Sequence, residues 1–148
     1  MTSTCPLCRP AEEDVLYLAD LYRVISVNDP AWPGFCRVIL NKHAAEMSDL
    51  SIDERSTLMQ AVYAVEAALR GLMLPTKINL ASLGNVVPHV HWHVIPRWEN
   101  DSHFPDPIWA NAKREWLAKP TFDRDSLIQH LRLSLNQRFA SEENINLG

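Results

Sequence analysis

The sequence predicts an α+β fold: an antiparallel sheet of about five strands with one long helix, followed by a C-terminal helical extension. Three observations lead there. Short β-branched and aromatic runs recur between turn signals up to Arg97, a single long segment from Ser51 switches to helical spacing, and beyond Arg97 the strand signal gives way to weaker helical patterning. At 148 residues the chain has single-domain length, and a domain of this size buries roughly 70% of its unfolded surface. We therefore expect one domain over residues 1–148, with a core over about 5–97 and an extension over about 98–140.

Val15 to Leu18 and Tyr22 to Val27 are strand-like runs separated by Ala19-Asp20-Leu21, which predicts a hairpin. Asn28-Asp29-Pro30-Ala31-Trp32-Pro33-Gly34 is a turn-rich break that delivers the chain into a central strand, Phe35 to Leu40. From Ser51, Leu58, Ala61, Val62, Val65, Ala68, Leu69 and Leu72 recur at three and four residues, with charged and polar residues on the opposite face. Ser51 and Glu54 have capping-box spacing at the start of this helix, and Gly71 with Pro75 is expected to mark its end. Lys77 to Ser82 and Val90 to Pro96 predict two more strands around a Gly84-Asn85 turn. After the Asp101 to Pro107 loop, helical stretches are expected near Ile108 to Leu117 and Asp125 to Phe139. In the second, Leu127, Leu131, Leu135 and Phe139 repeat every fourth residue, and the tail Ser141 to Gly148 is expected to fray.

Composition narrows the function classes. The formal net charge of −4 provides no broad basic face for a nucleic-acid backbone, so a phosphate ligand would have to be met by a small cationic site. No run of about 18 apolar residues could span a bilayer and the start lacks an export-signal pattern, so the expectation is a soluble, cytoplasmic protein without membrane contact. The three cysteines cannot all pair within the chain. Cys5-Pro6-Leu7-Cys8 has a spacing more typical of metal binding or redox chemistry than of a structural disulfide. Cys36, inside the predicted central strand, reads as a small buried hydrophobe.

The segment Pro88-His89-Val90-His91-Trp92-His93-Val94-Ile95-Pro96-Arg97 holds three of the six histidines on alternate positions. Alternate residues of a strand share a face about 6.5–7 Å apart, so the three imidazoles form a row. Burying such a row without a task is costly, because each ring carries a donor and an acceptor to satisfy. From the residues alone two uses remain open: ligation of one metal ion with help from elsewhere, or nucleophilic catalysis by a neutral imidazole assisted by its neighbours.

His89-Val90-His91-Trp92-His93-Val94-Ile95 matches the alternating signature of the histidine triad (HIT) superfamily, which the chain closely resembles. Gly84-Asn85-Val86-Val87 before the triad, Pro96-Arg97 after it, Pro33-Gly34, Asn41-Lys42-His43 and the long helix also fall in family order, over roughly residues 5 to 97. The resemblance implies a HIT-like sheet and a nucleotidyl hydrolase or transferase acting at the α-phosphate of a nucleotide derivative. In that role His91 would be the nucleophile forming a covalent nucleotidyl-histidine, and His93 would bracket the phosphate oxygens. A histidine at the third position, where the galactose-1-phosphate uridylyltransferase branch typically has glutamine, implies hydrolysis. The glycine-led turn Gly84, Asn85, Val86 and Val87 would offer backbone N–H groups to the phosphate. Asn79 and Asn85 would be additional donors near it, although both residues are also at home in ordinary turns. Asn28 matches a position used to hold ribose hydroxyls.

The resemblance also implies where a metal would sit. Members with an N-terminal Cys-x-x-Cys complete a structural zinc site with the histidine after the central strand, here His43, and the first triad histidine, here His89. The set Cys5, Cys8, His43 and His89 would then bind Zn²⁺, and His89 would support the catalytic row without itself acting as an acid; the alternative is a pair of reduced thiols and a solvated His43. Two departures bear on the leaving group. Phe35-Cys36 stands where many relatives have a further histidine, and Val86 replaces a common serine or threonine. The loop Asp101 to Trp109 could cover the site through His103 or an aromatic, or pack against the extension.

The expectation is a diadenosine tetraphosphate hydrolase-like enzyme cleaving dinucleoside polyphosphates or nucleoside phosphoramidates, as a homodimer. Two competing readings are a non-catalytic module that binds adenine nucleotides and a metalloenzyme using the histidine row as ligands.

Overall fold

Five short strands pair in the order β1-β2-β3-β5-β4, every pair antiparallel. They are β1 (Asp14–Leu18), β2 (Tyr22–Ser26), β3 (Cys36–Leu40), β4 (Lys77–Ala81) and β5 (His91–Arg97), each within two residues of its expected bounds. The structure, a computed structural model, describes residues 4–145. β1 and β2 form the expected hairpin, closed by the Ala19 N–H donating to the Tyr22 carbonyl, and β1 carries a bulge between Val15 and Tyr17. Pro33-Gly34 turns the chain into β3. Gly34 has φ +79°, which favours glycine, and an added Cβ would also have to displace the Met73 side chain, whose sulfur lies 2.5 Å from that position.

The sheet has two different faces. Tyr22, Val24, Cys36, Val38, Leu40, Ile78 and Val94 point to one side and enclose a core with Leu58, Ala61, Val62, Val65 and Leu69 of helix α1 (Ile52–Met73). The helix starts on the predicted capping box: Ser51 Oγ accepts from the Glu54 N–H and Glu54 Oε2 accepts from the Ser51 N–H. Its end differs from expectation. Gly71 lies inside the last turn, against the ring of His130, and the helix closes on Leu74 in a left-handed conformation just before Pro75.

A second helix, α2 (Arg124–Ile145), begins where Asp123 Oδ2 accepts from the Ser126 N–H and lays Leu127, Leu131 and Leu135 into the same core as α1. It continues through part of the stretch expected to fray; residues 146–148, and the side chain of Phe139, lie outside the described residues. The helix expected over Ile108 to Leu117 is absent. Residues 98–123 form an irregular loop whose backbone is held by side chains: Asp101 accepts from the N–H groups of Trp98, His103 and Phe104, and Arg114 donates to the carbonyls of Asp101 and Phe104. Such side-chain bonds compete with helical ones. Trp116 from this loop joins Trp32, Phe35 and Ile95 in a small cluster on the other face of the sheet.

Candidate active site and metal centre

β5 is interior to the sheet, between β3 and β4, and its register places His93 opposite Arg37 and His91 opposite Ile39. Residues opposite one another share a face, so the histidines lie on the side away from α1. Here the expected row divides. His89 precedes β5, and its ring turns toward the N-terminal arm, edge-on to His43 at 5.2 Å, whereas His91 and His93 stand edge-on to each other at 5.0 Å and line a pocket. His89 does not line that pocket; it stands with the N-terminal cysteine pair.

Each imidazole has a defined tautomer. His91 Nδ1 donates to the His89 carbonyl at 2.6 Å, which leaves Nε2 as the basic nitrogen. His93 Nδ1 accepts from Arg37 Nε at 3.4 Å, so a neutral His93 carries its proton on Nε2. Burial, reinforced by the Arg37 charge and then by His91, pushes the His93 pKa down to about 4. His89 Nε2 donates to the Leu40 carbonyl at 2.6 Å, and its Nδ1 lone pair points at the thiols of Cys5 and Cys8.

The pocket has a volume of about 380 Å³ and is walled by the Leu83 to Val87 segment, His91, His93, Arg37, Leu7 and Trp109. Gly84 has φ +73°, and among the described residues no protein acceptor engages the backbone N–H of Gly84, Asn85, Val86 or Val87. A run of free backbone donors beside two histidines is suited to an anion. Val86 is 93% exposed and brings no hydroxyl to this rim. Trp109 stands edge-on to His93 at 5.4 Å and is half exposed at the mouth, while Phe104 lies against Arg97 and His103 against Trp32, away from the pocket.

A larger cleft of about 910 Å³ adjoins it, sharing Arg37 and Leu7 and reaching Ser26, Asp14 and Asn28. Asn28, at φ +56°, is exposed; its Oδ1 accepts from Ser26 Oγ and its Nδ2 donates to Asp14. The structure separates Asn79 from the histidines. Its Oδ1 accepts from Arg97 Nη1, and it lines a different cleft along β4 because it stands opposite Ile95 in the register. Arg37 was missed in the sequence. Its signal is a lone cation within the otherwise apolar run Phe35 to Leu40, on the positions that alternate with the core residues.

Cys5, Cys8, His43 and His89 bring one ligand atom each to within 4.8 Å of one another. Sulfur and nitrogen ligands around a tetrahedral zinc lie about 3.6 Å apart, given Zn–S and Zn–N bonds of about 2.3 and 2.0 Å. The corresponding separations are 3.4 Å for Cys5–His89, 3.3 Å for Cys8–His43 and 3.5 Å for Cys8–His89. Burial lowers the pKa of His89, which favours the neutral form that a metal requires. The residues therefore fit a metal ion. Cys36, by contrast, is buried and pushed up to about 12 by desolvation, as befits an inert packing thiol.

This fold and the histidine pair define a histidine triad protein. A family model of the HIT domain matches residues 9–100, and the chain belongs to that family. Among proteins of known activity it is 24% identical over 139 residues to an asymmetrical bis(5'-nucleosyl)-tetraphosphatase from Schizosaccharomyces pombe, covering 90% of this chain and 71% of the relative. Among solved structures it is similar to a histidine triad protein from Bradyrhizobium japonicum, with TM-score 0.65, 26% identity and coverage of 82% and 91% of the two chains. A Zn-bound histidine triad family protein from Mycobacterium smegmatis shares the fold at 21% identity, with TM-score 0.57 and coverage of 95% and 99%.

Proposed function

We propose that the protein hydrolyses nucleotide derivatives at the α-phosphate through a covalent nucleotidyl-histidine on His91. One observation carries the reading: the Nδ1–H of His91 is committed to the His89 carbonyl, so its Nε2 lone pair is available without prior loss of a proton. In the first step Nε2 attacks phosphorus, the new P–N bond forms, and the bond to the leaving group breaks with its electron pair departing. Water then attacks phosphorus, the P–N bond breaks, the imidazole is restored, and the water proton passes to solvent. His93 and the free N–H groups of Gly84 to Val87 stabilise the charge on the phosphate oxygens. Asn85 lies on the same rim, and Asn28 in the adjoining cleft is suited to the ribose hydroxyls.

Cys5, Cys8, His43 and His89 would hold Zn²⁺, which when bound supplies folding energy and a tie between the N-terminal arm and β5. His89 thereby serves His91 by presenting the carbonyl that sets its tautomer. Reading the chain as one domain is supported by the shared core of α1 and α2. No helix among the described residues is long and apolar enough to cross a membrane, and the cysteines are free, which supports a cytoplasmic assignment. Homodimerisation is checked by light scattering.

The substrate class, dinucleoside polyphosphates or nucleoside phosphoramidates, is tested by turnover of such a panel with purified protein. The bare Val86 rim favours a second reading, a nucleotide-binding module without turnover. Tight binding with no product from any member of the panel would establish it and reject hydrolysis.

A further inference from the structure

Arg37 is a cation without an anion. It is half-buried in the interior strand β3, yet among the described residues no carboxylate lies within ion-pair distance of it. Glu13, the acid whose charge reaches it, is already held by Arg23 through two bonds of 2.6 and 2.8 Å. The single protein hydrogen bond of Arg37 is from Nε to His93, and neither Nη group has a protein partner among the described residues. The guanidinium also lies over the Phe35 ring, its carbon 5.5 Å from the centroid. A guanidinium cannot escape the cost of partial desolvation by losing its proton, and it presents its donors in a planar fork that matches phosphate. The two more deeply buried arginines of this chain are each satisfied by a carboxylate: Arg23 by Glu13 and Arg97 by Asp101.

The position of Arg37 says what the missing anion is. It walls both the histidine pocket and the adjoining cleft that reaches Asn28, so it stands where a ligand occupying both would pass from one to the other. Building on the nucleotide reading above, we infer that Arg37 is a phosphate-binding residue, whose free Nη groups hold non-bridging oxygens of the nucleotide phosphate presented to His91. The same side chain, through Nε, keeps the His93 proton on Nε2, so one residue both binds the phosphate and sets the tautomer of its neighbour.

The test compares the affinity of AMP with that of adenosine, by calorimetry, in the wild type, Arg37→Met and Arg37→Gln. Adenosine carries no phosphate, so its binding also reports that the pocket is folded. The wild type should prefer AMP, and both variants should lose roughly 10- to 100-fold in AMP affinity, the range for a charge-assisted hydrogen-bonded pair, while binding adenosine within about twofold of wild type. An unchanged preference for AMP in either variant overturns the assignment and leaves the nucleotide reading standing. Loss of adenosine binding in both variants makes Arg37 a structural residue and overturns it too. If the wild type itself binds neither compound, the nucleotide reading falls and takes the assignment with it.

Discussion

His91 donates its Nδ1–H to the backbone carbonyl of His89, two residues earlier, at 2.6 Å. The bond joins the two halves of the site, because the residue that supplies the carbonyl also points its own ring at the cysteine pair. Replacing His91 with alanine should reduce turnover by ~10³-fold or more while nucleotide binding survives, since the pocket walls and the Gly84 to Val87 donors remain. Rapid quenching of wild type with labelled nucleotide should trap an acid-labile adduct on His91. Persistent turnover in the variant, or label on another residue, would sink the mechanism.

Cys5→Ser tests the metal centre. Removing one of four ligands should lower zinc content and melting temperature together, with a loss on the order of 5 °C or more. The reactivity of His91 in the surviving folded fraction should change little. Full zinc content with an unchanged melt would reject the site, and a melt that rises on adding zinc to metal-free wild type would identify it.

Much of this was legible in the sequence, for physical reasons. The long helix announces itself because its buried face recurs at helical spacing and its capping box is local. The histidine pattern is legible because a strand enforces alternation, whereas the division of the row is readable only through the family resemblance, since it depends on where β5 begins and on an arm more than eighty residues away. Arg37 stayed hidden inside an apolar run because its meaning arises only from the register opposite His93. Residues 98–123 misled because their order comes from Asp101 gripping adjacent backbone N–H groups and Arg114 reaching back to the carbonyls of Asp101 and Phe104, which leaves no periodicity to read.

The depressed pKa of His93 has a signed consequence for stability. Burial, with the Arg37 charge, lowers it from 6.5 to about 4 in the folded protein, so below pH 6.5 the unfolded chain takes up a proton that the folded chain refuses. The contribution is fully present above pH 6.5 and is lost as pH falls to about 4, at most ~3 kcal/mol. Denaturant melts at pH 7 and pH 4 should therefore show a smaller drop for His93→Gln than for wild type. Equal drops would mean that His93 titrates normally.

The loop that carries Trp109 to the mouth of the pocket is anchored by one buried ion pair. Arg97 is 1% exposed and Asp101 0%, with Nε–Oδ2 at 2.7 Å and Nη2–Oδ1 at 3.0 Å. Burial pushes the Asp101 carboxyl up, but Arg97 and the N–H groups of His103, Trp98 and Phe104 more than offset it and hold the carboxyl below the usual carboxylate range. Removing one partner of such a pair strands the other without compensation, a cost of about 3–5 kcal/mol. Asp101→Ala should therefore lower the unfolding free energy by about that amount. It should also release the turn at His103 and Phe104, since their N–H groups lose their acceptor. Hydrogen exchange should show faster exchange at those two amides, with the β3 and β5 amides protected in proportion to the remaining global stability. A loss below ~1 kcal/mol, the range for an exposed pair, would mean that solvent reaches Arg97 and that the loop is held by the contacts of His103 and Trp116 with Trp32 instead.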